Sequence, residues 1–132
     1  MPLLLLVCLG GAIGAGLRFL VNQAFAGREI AQHGAALFPW PTLTVNVVGG
    51  FLMGVVFVVI HERLGGSPEW RAFLATGILG GLTTFSAYSL DMMQLLNDGG
   101  ISMRFLGYTA GSVVLAFAAL AAGMSLARAV LA

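Results

Sequence analysis

Polar side chains that could bind an ion are few in this 132-residue chain, and most of them interrupt apolar stretches. The densest group lies at 77–91, where three glycines precede Thr83, Thr84 and Ser86. Glycine costs a helix about 1 kcal/mol per position relative to alanine, and threonine also propagates a helix poorly. Ser and Thr hydroxyls can bond the nearby backbone instead of leaving it to the helical ladder. The segment therefore predicts a helix that is broken near 80–86.

A break of this kind would free main-chain groups to bind ions. Freed carbonyls suit cations and freed N–H groups suit anions, and transporters and channels use both. Irregular backbone at membrane depth survives only where protein or a water-lined cavity satisfies its polar groups. The alternative is a helix whose glycines serve a helix contact and whose hydroxyls bond back to the i−4 carbonyl. The segment alone leaves both interpretations open.

Two further polar residues stand within long apolar stretches, and each also has two interpretations. Asn46 shares one helical face with Gly50 and Gly54, because the three recur every four residues. Its amide either hydrogen-bonds a neighbouring helix or lines a pathway. An interhelical hydrogen bond of this kind commonly stabilises a membrane protein by about 0.6–2 kcal/mol. Arg18 follows Gly14 of a G-x-x-x-G pair by four residues, where it would face protein or water. Otherwise it lies near the helix end and snorkels to the headgroups.

Hydroxyls and rings recur at helical spacing in the second half of the chain. Tyr108 and Ser112 lie on one face of a predicted helix, where they form either a polar stripe or bonds between helices. Tyr88 follows Phe85 by three residues, so both rings share a face if helix resumes after the break. A ring pair at this spacing is more often packing than a site. Asp91 is the only carboxylate close to these apolar stretches.

The composition decides what surrounds these residues. The chain is 59% hydrophobic and 8% charged, whereas an ordinary soluble domain has about 25% charged residues. One short core could not bury so much apolar side chain, so the solvent must be lipid. A net charge of +1, without a basic cluster, argues against nucleic acid as a partner. The first residues lack the positively charged start and cleavage site of a signal peptide, so we expect a retained span there.

The apolar stretches predict an all-α integral membrane protein with one domain at 1–132. We expect transmembrane helices at about 3–25, 42–60, 71–95 and 102–130, the third of them broken in mid-membrane. Polar or glycine-rich connections lie between them, and the first, at 26–41, contains His33, which we interpret as a solvated residue rather than a ligand. An even number of spans puts both termini on one side.

The arginines between the spans are divided almost evenly. One side of the membrane would carry three and the other two: Arg63, Arg71 and Arg128 against Arg28 and Arg104. Positive residues in short loops set orientation, so this split barely selects one. A chain that inserts both ways can form an antiparallel homodimer.

Three other functional classes explain this four-helix membrane protein less well than an ion pathway does. A small multidrug or cation exporter would need a buried carboxylate in the first span, which contains none. A structural membrane subunit would explain the glycine faces but would leave the broken third span without a purpose. An enzyme is not expected, because no nucleophile–base pair or metal cluster is visible in the sequence.

Three motifs give the chain a family resemblance. They are G-G-A-I-G-A-G-L-R-F at 10–19, P-T-L-T-V-N-V-V-G at 41–49 and G-G-L-T-T-F-S at 80–86. In this order, and with four predicted spans, they resemble the bacterial CrcB (Fluc) fluoride channel family. The resemblance covers nearly the whole chain, and the combination of T-x-x-V-N-x-x-G with G-G-x-T-T-F-S is specific.

The resemblance implies a fluoride-selective channel that exports fluoride passively across the bacterial cytoplasmic (inner) membrane and so lowers cytoplasmic fluoride. It implies a dual-topology homodimer with two pores, in which Asn46 lines the anion path and Phe85 and Tyr88 form the ring pair. The anion pathway expected from it comprises Asn46, Phe85, Tyr88, Ser86, Thr84, Tyr108, Ser112 and Arg18. Ring edges are partially positive and neutral donors hold an anion without trapping it, as conduction requires.

The resemblance also implies a structural Na⁺ at the centre of the dimer. The backbone carbonyls of Gly80 and Thr83 from both subunits would hold it at the helix break. Two positions depart from the family pattern. Tyr88 stands where the family typically has Phe, and Ala116 stands where a hydroxyl would be expected.

Overall fold

A computed structural model describes residues 2–29 and 38–132 of the chain, without side-chain positions for 27–29. Within these ranges the regular elements are all helical, and no strand is present. The helices are α1 (Pro2–Glu29), α2 (Trp40–Glu62), α3 (Pro68–Trp70), a π-helical segment (Arg71–Leu79), α4 (Gly80–Leu82), α5 (Phe85–Gly99) and α6 (Met103–Leu131). Most of the connection predicted at 26–41, including His33, lies outside the described residues.

The described residues contain four stretches that are long and apolar enough to cross a membrane. They are Pro2–Ala26, Trp40–Glu62, Pro68–Gly99 and Met103–Leu131. This confirms the all-helical class and the number of spans. The third stretch combines α3, the π-helical segment, α4 and α5. A π-helix of nine residues is rare, and it was not predicted from the sequence.

Helix ends differ from the predicted ones by a few residues, for local reasons. Helix α2 begins at Trp40, two residues early, because Pro41 fits the first turn, where its missing N–H has no partner to lose. Helix α5 runs past 95, where the third span was predicted to end, as far as Gly99. Gly100, directly after the helix, takes a positive φ of 62°, and its N–H donates to the Leu96 carbonyl. Helix α6 begins after Ser102, whose Oγ accepts from the Phe105 N–H at 3.2 Å.

Glycines bring the spans together at two backbone-to-backbone crossings. On α1, a Cβ added to Gly10 would lie 2.9 Å from the Cα of Gly77 in the π-helical segment. On α2, a Cβ added to Gly50 would lie 2.8 Å from the Ala116 carbonyl oxygen of α6. One at Gly54 would meet the Leu120 carbonyl oxygen as well. The small-residue faces predicted for the first two spans are therefore close helix contacts.

The α2–α6 crossing carries a prediction. Gly54→Ala should destabilise the folded protein by about 1–3 kcal/mol, the usual effect of overpacking, because backbone of α6 cannot move aside as a side chain can. The matched control is Gly16→Ala on α1, where an added Cβ meets nothing within 4 Å among the described residues. Thermal unfolding of the two detergent-purified variants measures the difference. Equal midpoints would contradict the close crossing.

Candidate functional site

The site begins where helical geometry stops, midway along the third span. Helix α4 ends at Leu82, and the last helical bond runs from the Thr83 N–H to the Leu79 carbonyl at 3.0 Å. Thr83 (φ −79°, ψ 155°) and Thr84 (φ −153°, ψ 127°) are extended, and helix resumes at Phe85. Two extended residues leave main-chain groups that the helices cannot satisfy.

Asn46 of α2 hydrogen-bonds both the N–H and the carbonyl of Thr84. Its Nδ2 donates to the Thr84 carbonyl at 3.0 Å, and its Oδ1 accepts from the Thr84 N–H at 2.8 Å. The two bonds together fix which end of the amide faces which group. Asn46 therefore contacts a main-chain segment that lies 38 residues away in the sequence.

The two threonine hydroxyls at the interruption have different partners. Thr83 Oγ1 donates to the Leu79 carbonyl at 2.8 Å, which is the i−4 bond that the alternative interpretation proposed. Thr84 Oγ1 accepts from the Ala87 N–H at 3.2 Å and caps α5. It also lies 3.2 Å from the exposed Ser86 Oγ. The hydroxyls thus serve the backbone on both sides of the interruption.

The predicted ring pair lies directly after the interruption. The centroids of Phe85 and Tyr88 are 5.5 Å apart with the planes inclined at 44°. Phe85 is 76% exposed, whereas Tyr88 is 6% exposed and donates its hydroxyl to the Thr109 carbonyl of α6 at 2.8 Å. The Tyr88 hydroxyl proton is therefore bonded to main chain.

The hydroxyls predicted to form a stripe on the fourth span are both buried. Tyr108 is fully buried and donates to Asp91 Oδ2 at 2.8 Å, and its ring lies 5.5 Å from that of Tyr88 between centroids, with the planes inclined at 41°. Ser112 Oγ is buried and has no hydrogen-bond partner in the described part of the chain, and the same is true of Thr109 Oγ1. An unpaired buried hydroxyl is costly unless a water or an ion completes it.

An open cleft of about 330 Å³ brings most of these groups together. Six of the predicted residues line it, along with apolar side chains and the glycine face of α2: Asn46, Thr83, Thr84, Phe85, Tyr88 and Ser112, with Gly49, Gly50, Met53, Val113, Ala116 and Leu120. Ala116 lies in this wall, so the wall lacks a hydroxyl at the position where the resemblance predicts one.

Four of the predicted residues lie outside the lining of the cleft. Arg18 is half-buried on α1, Ser86 is exposed beside Thr84, and Tyr108 lies behind Tyr88. Gly80 lies in α4, one helical turn before Thr84. The structure therefore brings together the amide, one ring pair and the Ser112 hydroxyl, but it does not bring the Arg18 charge into this group.

Sequence reasoning missed several contacts of the site. The Tyr108–Asp91 bond was not predicted, although Asp91 follows Tyr88 by three residues and so falls on the same helical face. No sequence pattern could have singled out the Thr109 carbonyl as the partner of Tyr88, because every residue carries a main-chain carbonyl. Among the described residues no group of three or more His, Cys, Asp or Glu could hold a metal ion.

Comparisons with known proteins agree over nearly the whole chain. Residues 5–124 match the family described as "CrcB-like protein, Camphor Resistance (CrcB)". A protein of Rhizobium meliloti named "Fluoride-specific ion channel FluC" is 48% identical over 126 residues, 96% of each chain. Proteins of the same name from Mesorhizobium japonicum and Aquifex aeolicus are 49% and 46% identical over 125 and 109 residues, covering 95% and 83% of each chain.

Proposed function

Because the chain belongs to the CrcB-like protein family, we propose that it is a fluoride-specific channel. It is a multi-pass protein of a bacterial membrane and not an enzyme. Passive movement of fluoride out across the cytoplasmic membrane would lower cytoplasmic fluoride. The observation that carries the proposal is the cleft, in which an amide, a buried unpaired hydroxyl and an exposed ring converge at a helix interruption.

The cleft supplies what a small, strongly hydrated anion needs in place of water. Asn46 has two amide N–H groups, of which one is bonded to Thr84, and Ser112 has a hydroxyl without a protein partner in the described residues. Phe85 adds a largely exposed ring whose edge is partially positive. None of these groups is charged, so the ion is stabilised without being trapped.

Fluoride efflux from liposomes tests the proposal. Vesicles that contain the purified protein and fluoride should release it down its gradient, with far less release of chloride. Because Pro2–Ala26 contains no carboxylate for proton exchange, release should not require a proton gradient. Equal release of both anions, or fluoride movement only with a proton gradient, would favour an exporter or a non-selective pore instead.

The hydroxyl at position 88 yields a second test of the same site. Tyr88→Phe should retain most of the flux, because the hydroxyl donates to the Thr109 carbonyl and not to the cleft. Loss of that bond should destabilise the protein by about 0.5–1.5 kcal/mol. Tyr88→Ala should lower flux, since it removes the ring. A large fall in flux in Tyr88→Phe would show that the hydroxyl acts on the ion.

The functional form is an antiparallel homodimer in which the helix interruption lies in mid-membrane. Its support is the nearly even division of arginines and the position of Thr83 and Thr84 halfway along Pro68–Gly99. Phe85 is also 76% exposed in one subunit, which leaves the open side of the cleft for a second subunit to cover. The fluoride path would then run between the two subunits.

A Na⁺ ion held by the Gly80 and Thr83 carbonyls completes the proposed dimer. The N–H groups four residues on, those of Thr84 and Ala87, donate to Asn46 and to the Thr84 hydroxyl. Both carbonyls therefore lack their ordinary helical donors, and carbonyl oxygens suit a hard cation. When bound, the cation supplies positive field beside both anion paths. The residues present fit such an ion without any carboxylate.

A further inference from the structure

The helix interruption is held by two side chains that divert specific main-chain donors. In an α-helix the N–H of residue i+4 donates to the carbonyl of residue i. For Gly80 that donor belongs to Thr84, which donates to Asn46 Oδ1 at 2.8 Å. For Thr83 it belongs to Ala87, which donates to Thr84 Oγ1 at 3.2 Å. The two diverted donors are thus those of the two carbonyls assigned to the cation.

These side chains decide where the backbone can go. If Thr84 Oγ1 were absent, the Ala87 N–H would be left without its cap, and its i−4 carbonyl, that of Thr83, would be the acceptor that extends α5 backwards. If Asn46 were absent, the Thr84 N–H would turn to Gly80 in the same way. A helix that closes through the interruption consumes both carbonyls.

We propose that Asn46 and Thr84 are positioning residues that keep the Gly80 and Thr83 carbonyls open to a cation. The inference rests on the proposed function and deepens it, because it joins the two ion sites. Asn46 lines the cleft and holds the interruption with two bonds, at 2.8 and 3.0 Å. One amide therefore both lines the anion path and keeps the Gly80 carbonyl open.

Na⁺-dependent thermal unfolding of the purified protein in detergent tests this role without measuring flux. A ligand that binds only the folded state raises the unfolding midpoint as its concentration rises. The midpoint of the wild-type protein should therefore rise when Na⁺ replaces a bulky organic cation at constant ionic strength. Thr84→Val keeps the shape but loses the acceptor, and the Na⁺ concentration for half of the rise should increase about tenfold or more.

Three further variants make the result specific. Asn46→Leu should also lose the Na⁺-dependent rise of the unfolding midpoint, because the Thr84 N–H would then turn to the Gly80 carbonyl. Thr84→Ser keeps an acceptor for the Ala87 N–H and should keep the rise. Ser86→Ala removes only the 3.2 Å contact between the two hydroxyls, so it is the matched control and should keep the rise too.

Two results would overturn the inference. In the first, Thr84→Val and Asn46→Leu respond to Na⁺ as the wild type does, so the caps do not hold the cation ligands. In the second, the wild-type midpoint does not depend on Na⁺ at all. Fluoride efflux from liposomes is measured separately, so a protein that releases fluoride without any Na⁺-dependent rise refutes this inference and leaves the proposed function intact.

Discussion

Asn46→Asp is expected to lower fluoride flux by about a hundredfold or more. The substitution sets a carboxylate oxygen against the Thr84 carbonyl, where Nδ2 now donates at 3.0 Å, and it puts a negative charge on the wall of the cleft. An uncompensated buried charge costs several kcal/mol, and each 1.36 kcal/mol is tenfold in rate. The ionised group also has no donor to offer the anion. Fluoride efflux from liposomes measures the loss.

The control for Asn46→Asp is the same substitution at an exposed asparagine far from the cleft. Asn97 is exposed near the end of α5, and Asn97→Asp should leave efflux at the wild-type rate. Gel filtration should show that both variants have the same assembly state as the wild type. Wild-type flux in Asn46→Asp would assign the amide to helix packing.

The ring at the interruption is open to a parallel comparison. Phe85→Ile should also suppress flux, because it replaces a partially positive ring edge with an aliphatic group at the same place. Phe117 of α6 is 74% exposed, close to the 76% of Phe85, but does not line the cleft. Phe117→Ile should therefore retain flux, and equal loss in both variants would point to a general effect of removing a ring from the surface.

Local preferences were enough to predict the framework of this protein. Long apolar stretches predicted the spans, and their ends moved by only a few residues where Pro41 or Gly100 fixed the main chain. The glycine and threonine pattern pointed to 80–86, and the extended residues are Thr83 and Thr84. These are properties of short segments, in which propensity and spacing act directly.

Contacts between distant segments were not predictable in the same way. Asn46 was visible as a polar residue in an apolar span, but its partner Thr84 lies 38 residues away and is reached through main-chain atoms. The partner of the Tyr88 hydroxyl, the Thr109 carbonyl, was not predicted either. The π-helical segment had no local signal, and it packs where α1 and the third span meet at Gly10 and Gly77.

The helix interruption and the polar wall of the cleft depend on the same side chains. A helix that stops in an apolar span leaves donors and acceptors that must be satisfied, and Asn46 and the Thr84 hydroxyl satisfy several of them. The same side chains then form the polar part of the cleft wall. Polar groups that stabilise the fold are thereby the ones available to an ion.

The orientation of the chain in the membrane gives the last prediction, which tests the proposed antiparallel dimer. The arginines between the spans divide three to two, so neither side is strongly favoured. Leu64→Lys with Ala132→Lys adds two positive charges at one end of the spans. Ile101→Lys with Met103→Lys adds two at the other, at positions that are 76% and 83% exposed. Each pair of lysines should force one orientation, opposite to the other's, as protease accessibility of a terminal tag would show.

In an antiparallel dimer, neither forced-orientation variant can find its partner alone. Each should therefore give almost no fluoride efflux when it is produced by itself, and co-production of the two should restore it. The effect is large because an unpaired subunit leaves the cleft open on the side where Phe85 is exposed. An uncharged pair at the same positions, Ile101→Gln with Met103→Gln, controls for the loss of the apolar side chains. It adds no positive charge and should be active alone. Full efflux from either lysine variant by itself would mean that subunits of one orientation are sufficient.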